Sequence, residues 1–137
     1  AHGFEIVQSH FPGWKFQAPD TVADQGLHAT LLIGPPLPLA QLGEDPVAAL
    51  ESFSLDLSRD GRHIETGEGK NVLGIPLWAI VHLISVWAGQ RPTQTLGAGE
   101  IVTTGTITTA QSVYAGETWQ SELQGIALPG LKVAFSE

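Results

Sequence analysis

The clearest pattern along the chain runs from residue 52 onward, where apolar and polar side chains alternate. Phe53, Leu55 and Leu57 fall on one face, and Ser52, Ser54, Asp56 and Ser58 on the other. That period of two predicts a half-buried strand, and the Asp60-Gly61 pair behind it predicts a two-residue hairpin turn into a second strand. A shorter β-like run covers Phe4 to Val7. The "FPGW" that follows reads as a turn, because Pro12 presets φ and Gly13 accepts what comes next. Ala29 to Ile33 is an apolar run with Thr30 inside it, stopped at Gly34, and predicts a strand covered on both faces. "PPLPLAQLGEDP" holds four of the nine prolines and predicts a surface connection, since proline suits neither helix interiors nor central strands.

From Pro76 to about Trp87 the alternation stops. Pro76 suits a first helical turn and Gly89 an end, so one long helix is expected. The run "VLGIPLWAIVHLISVWAG" is broken by Pro76 and carries His82 and Ser85, which predicts a buried helix rather than a membrane span. Beyond it, "IVTTGTIT", "YAGETWQSELQGI" and "LKVAFSE" predict further strands. Strand-forming segments outnumber helices, and no internal repeat is present. The expected class is therefore mainly β with one long helix (α+β), a mixed sandwich or roll forming a single domain over residues 1–137.

Charge and composition narrow the function. The 137 residues are enough for one ordinary domain with a real core. Fourteen acidic against six basic side chains give a net charge of −8, which argues against a surface that tracks phosphates, so nucleic acid is excluded as a partner. Cysteine is absent, which removes disulfides, thiolate metal sites and cysteine nucleophiles together. No basic-then-apolar leader precedes Phe4, so a cytoplasmic protein without a membrane partner is expected.

Candidate chemistry is concentrated near the beginning of the chain. "GEGKN" at residues 67–71 is too short for a phosphate loop and lacks its hydroxyl. The five histidines, at 2, 10, 28, 63 and 82, lack the i, i+4 spacing of a helical zinc site. His82 is expected to be a hydrogen-bonded core side chain and His63 to be exposed, while His10 and His28 flank an acidic cluster and are suited to proton transfer. That cluster is Glu5, Asp20 and Asp24, beside Trp14 and Lys15. Its oxygen donors suit Mg²⁺ or Mn²⁺. The competing reading has Asp20 and Asp24 capping turns or a short helix while Glu5 points to solvent. Lys15 reads equally as a substrate-pairing or a solvated side chain, and Trp14 and Trp119 are expected in the core.

Three stretches, "FEIVQSHFPGWKFQAPDTVADQGLHATLLIG", "NVLGIPLWAIVHL" and "LGAGEIVTTGTIT", together resemble the C-terminal half of the 2-keto-4-pentenoate hydratase and 4-oxalocrotonate decarboxylase family, within the fumarylacetoacetate hydrolase superfamily. The resemblance runs from Phe4 to Phe135. It implies that Glu5 is a metal ligand, that Asp20 to Asp24 lie beside the substrate, and that Thr104, Gly105 and Thr106 face the carboxylate or enol of a 2-keto acid. The cofactor it implies is Mg²⁺ or Mn²⁺, with Asp24, together with Asp20 or His28, expected to orient water or move a proton; the family's substrate lysine lies upstream, and Lys15 is an additional candidate for pairing with the substrate carboxylate. Members usually carry Asn after the second aspartate and a small polar residue two positions on, where this chain has Gln25 and Leu27. The family's remaining metal carboxylates form an upstream Glu-x-Glu, which these 137 residues lack. The expectation is therefore the C-terminal part of a longer enzyme of aromatic catabolism.

The expected activity is a metal-dependent hydratase acting on a 2-keto-4-pentenoate-type acid. The alternatives are a 2-oxo-acid decarboxylase or acylpyruvate-type C–C hydrolase of the same superfamily, or a catalytically incomplete fragment or structural partner domain. Homo-oligomerisation is expected, since exposed strand edges must be covered.

Overall fold

Residues 1–90, 93 and 95–136 are described by a computed structural model. The backbone forms two compact units, Ala1–Pro36 and Leu37–Glu137.

The first unit is built on an antiparallel pair, β1 (Gly3–Val7) and β2 (His28–Ile33). Between them lie a 3-10 turn at Pro12–Trp14, the short helix α1 (Ala18–Ala23) and a second 3-10 turn at Gln25–Leu27. The expected turn at "FPGW" is present, with Gly13 at φ 66°, a left-handed conformation that glycine adopts without steric cost. The expected covering of β2 is not: Leu32 and Ile33 are exposed.

The second unit holds a four-stranded antiparallel sheet in the order β4-β3-β5-β6, made of β3 (Ser54–Arg59), β4 (Arg62–Glu68), β5 (Thr118–Gln124) and β6 (Lys132–Ala134). Asp60 and Gly61 join β3 to β4 with φ values of 51° and 75°. Two successive positive values mark the mirror-image turn whose twist matches paired strands. One sheet face carries Leu55 and Leu57 of β3 opposite Leu123 and Ser121 of β5. Phe53, Leu55, Leu57 and Trp119 are buried there with Leu42, Val72 and Ile75. Ser121 is a buried polar member of that face, and its hydroxyl oxygen accepts the Leu131 N–H at 3.0 Å. Arg59 lies 5.7 Å from the Trp119 ring centroid, and Glu117 accepts both the Trp119 indole N–H at 3.0 Å and an Arg59 N–H at 3.3 Å. Trp119 is thus a core residue, as expected.

Three expectations are corrected. Residues up to Pro46 predict a connection and Ser52 a strand position, yet α2 spans Pro46–Ser52. Its start is marked by Asp45, whose Oδ1 accepts from the N–H groups of Val47 at 3.1 Å and Ala48 at 3.0 Å, with Pro46 in the first turn. "IVTTGTIT" is not a strand: no ladder includes residues 101–110, which are attached by side chains instead. The long helix exists as α3 (Leu77–Gln90), but none of its residues is buried, and Trp78, Val81, Ile84 and His82 are exposed. The core closes around Phe53, Leu55, Leu57 and Trp119 without it. Among the described residues each unit contains one sheet. Among the described residues no helix is long and apolar enough to cross a membrane. Glu137, the end of the expected last strand, lies outside the described residues.

Close packing gives a direct test. A Cβ at Gly69 would run into the Leu50 carbonyl oxygen and the Phe53 ring. Gly69→Ala is expected to lower stability by about 1–3 kcal/mol, read as a reduced urea midpoint with the slope unchanged.

Candidate active site

The first unit gathers most of the candidate residues, and a register irregularity decides which of them meet. Down the β1/β2 pair, Gly3, Phe4, Glu5 and Ile6 oppose Ile33, Leu32, Leu31 and Thr30 in order, but Val7 opposes His28, not Ala29. Side chains alternate faces along a strand, so regular pairing would put Ala29 on the face of Glu5 and Val7. The bulge passes over Ala29 and brings His28 onto that face instead. There its Nδ1 lies 3.2 Å from Glu5 Oε1, with the Glu5 side chain 36% exposed. Glu5 therefore combines access to solvent with a fixed neighbour.

The two aspartates do different work. Asp20 stands at the third position of α1, and its Oδ2 accepts the Gln17 backbone N–H at 2.8 Å, the reach-back contact of a capping box. Asp24 closes the other end of α1. Its carboxylate lies 2.5 Å from His10 Nδ1 and accepts the His10 backbone N–H at 3.3 Å, and the side chain is only 15% exposed. The sequence cluster thus resolves into a capping residue, Asp20, and two carboxylate–imidazole pairs, Glu5–His28 and Asp24–His10. Beside them Trp14, Lys15, Phe16, Gln17 and Asp20 line an open concavity of about 480 Å³. Lys15 is exposed there, and so is Trp14, contrary to its expected place in the core.

In the second unit, Thr104 is half-buried and Gly105 and Thr106 are exposed. Gly105 has φ 123°, and a Cβ there would lie 3.2 Å from Val72 Cγ1. Residues the sequence reading did not single out secure this segment. Asn71 donates from Nδ2 to the Ile107 carbonyl at 3.0 Å. Glu65 accepts the Thr109 backbone N–H at 3.0 Å and its hydroxyl at 2.5 Å. Asn71 belongs to "GEGKN", whose signal as a failed phosphate loop hid this anchoring role, and Lys70 of the same stretch is paired with Glu68 at 2.5 Å. His63, exposed as expected, contacts Thr66 at 2.9 Å.

For a divalent cation the donors present fit in part. Mg²⁺ is commonly held by one or two carboxylates with waters and substrate oxygens, and Glu5 offers one such ligand. Among the described residues no group of three or more His, Cys, Asp or Glu side chains could hold a metal ion.

Comparison with known proteins gives consistent findings. Residues 11–131 match the family model described as fumarylacetoacetate (FAA) hydrolase C-terminal. A 2-keto-4-pentenoate hydratase of Paraburkholderia xenovorans (strain LB400) is 31% identical over 122 residues, covering 89% of this chain and 43% of the relative. A 4-oxalocrotonate decarboxylase of a Pseudomonas species is 27% identical over 126 residues, covering 92% and 46%. The solved 4-oxalocrotonate decarboxylase from Pseudomonas putida G7, complexed with magnesium and adipate, superposes with a TM-score of 0.82 at 25% identity, over 97% of this chain and 47% of that one. The chain spans less than half the length of these relatives.

Gln25 and Leu27 have φ values of 51° and 63°. Left-handed backbone costs a non-glycine residue about 1–2 kcal/mol, and Asn tolerates it better than Gln. Gln25→Asn, the residue usual in the resembled family, is expected to raise the thermal midpoint, by a gain on the order of 0.5 kcal/mol. An unchanged midpoint would show that the turn carries no strain at this position.

Proposed function

The chain belongs to the fumarylacetoacetate (FAA) hydrolase C-terminal family, and from that premise we propose that it supplies part of the active site of a hydratase, a lyase dependent on Mg²⁺ or Mn²⁺. The substrate in this reading is a 2-keto-4-pentenoate-type 2-oxo or 2-hydroxydienoic acid from aromatic catabolism, and the native enzyme is a cytoplasmic homo-oligomer. The observation that carries it is the match of nearly the whole chain to proteins named as hydratases of that acid. The magnesium in the solved relative's complex supports the cofactor.

Glu5 is the ligand this chain contributes, and His28, 3.2 Å away, holds its carboxylate in one orientation. A partner of that kind is what a ligating carboxylate needs to stay in place. When bound, a divalent cation polarises the 2-oxo group and stabilises the enolate charge. Asp24 is the better placed of the two aspartates to orient water or accept a proton, because its own geometry is set by His10 while Asp20 is committed to Gln17. His28 remains the second candidate for proton movement. Lys15 offers a cation to the substrate carboxylate. In the second unit Thr104, Gly105 and Thr106 offer hydroxyl and N–H donors to a carboxylate or enol oxygen. A second reading, loss of carbon dioxide from a 2-oxo acid, is favoured by the decarboxylase identity of the solved relative, and gas release against water addition separates the two.

Two measurements test the reading. Calorimetric titration of Mn²⁺ with oxalate, a dianionic enolate mimic, is expected to give binding that Glu5→Gln abolishes; equal binding by both proteins removes Glu5 from the metal. In enzyme that turns over the 2-oxo acid, Asp24→Asn is expected to cut kcat by about 100-fold or more with metal affinity nearly unchanged. Unaltered turnover would discard Asp24.

A further inference from the structure

The segment 101–110 belongs to no strand, yet it carries Thr104, Gly105 and Thr106. It is held at three points, two on β4, the edge strand of the four-stranded sheet, and one on the turn Gly69–Asn71 that follows it. Gly67 of β4 is buried, and a Cβ there would come within 2.6 Å of the Ile107 carbonyl oxygen, so the two backbones are in close approach. Asn71 Nδ2 donates to that same carbonyl at 3.0 Å. Glu65 supplies the third and strongest point. Its Oε1 and Oε2 accept the Thr109 N–H at 3.0 and 3.1 Å, its Oε2 accepts the Thr109 hydroxyl at 2.5 Å, and Gln111 Nε2 donates to it at 3.4 Å. Gln111 also donates to Thr109 Oγ1 at 2.8 Å, closing the cluster.

The register of β4 decides where this carboxylate lies. A bulge at Leu57/Ser58 sets Glu65 opposite Leu57 and His63 opposite Ser58. Glu65 therefore shares a face with Leu57 and Gly67, and its hydrogen bonds run to Thr109 and Gln111. The neighbouring ionisable groups are engaged elsewhere: His63 with Thr66 and Asp56 on the opposite face, and Glu68 with Lys70.

We propose that Glu65 is a positioning residue whose carboxylate, by gripping Thr109, fixes the conformation of Thr104, Gly105 and Thr106; its relevance to catalysis rests on the substrate reading given above. Only two residues separate Thr106 from Thr109, so the grip is felt directly in the turn. Bonds to a carboxylate are about twice as strong as those between neutral groups, which sets Glu65 apart from Asn71 as an anchor.

The grip depends on charge. The Thr109 hydroxyl and N–H hold the Glu65 carboxyl below its ordinary pKa, outweighing the opposing effect of desolvation. The ionised form is thus favoured in the fold. Its contribution is complete above the ordinary glutamate pKa and is lost as the pH falls through the lowered, folded value.

The test follows backbone amide resonances of the whole chain. In the wild type, Thr109, Gly105 and Thr106 are expected to titrate together, with one midpoint below the ordinary glutamate range. In Glu65→Gln at pH 7 these amides are expected at their low-pH wild-type positions and to titrate no longer, while amides of β3 and the Trp119 indole stay put. The proposal is overturned if Gly105 and Thr106 keep their wild-type positions in Glu65→Gln while Thr109 moves. Thr109→Val removes only the hydroxyl bond and provides the same comparison should the first variant not fold. Oxalate is expected to shift amides 104–106 in the wild type and to bind about tenfold or more weakly to Glu65→Gln. If oxalate leaves these amides unmoved while Glu65→Gln displaces them, the positioning role stands and the substrate role of the segment falls.

Discussion

Side chains of a β-strand alternate between two faces, and a single extra residue reverses the assignment for everything beyond it. Each sheet of this chain contains one such interruption, at Ile6/Val7 and at Leu57/Ser58. The first decides that an imidazole shares a face with Glu5. The second separates two polar residues of β4 that regular alternation would put on one face, sending His63 to the solvated face with Asp56 and Thr66 and leaving Glu65 beside Leu57. The buried face of β3 makes the second register binding, because Leu55 and Leu57 cannot be exchanged for Asp56 and Ser58 without opening the core. Chemistry in both units therefore follows from where the alternation is kept and where it is broken.

Much of the sheet was legible in the sequence because its signals are local. The alternation from Phe53, the Asp60-Gly61 turn and the run ending at Gln124 all report on neighbours a few residues away. The bulges were not legible, since nothing within His28-Ala29-Thr30 says which residue will be passed over; that is settled across the ladder. Helix α2 was legible and overlooked: an aspartate before a proline at the head of "VAALES" is a start signal, masked by the prolines upstream. Residues 101–110 mislead for a different reason. β-branched composition describes a segment that lies well against a sheet, and here Asn71, Gly67 and Glu65 do the holding that a ladder would do.

The candidate site was legible in its members and not in its partnerships. Three acidic residues within twenty positions looked like one cluster. Folding gives Asp20 to a helix start, Asp24 to His10 and Glu5 to His28. The capping reading holds for Asp20, while Asp24 and Glu5 each pair with an imidazole, an arrangement neither reading named. Family membership rests on the match over residues 11–131, and it is the solved relative that carries magnesium.

The passed-over residue of β2 has a consequence for how this site can change over generations. Because Ala29 is surplus to the pairing, losing its codon would regularise the hairpin and still leave His28 on the face of Glu5. Gaining a codon between His28 and Thr30 would instead present a different side chain to the carboxylate, with no substitution at Glu5 or His28. Length variation at one position is then a second mutational path, beside replacement of either partner, between versions of this site with and without the imidazole.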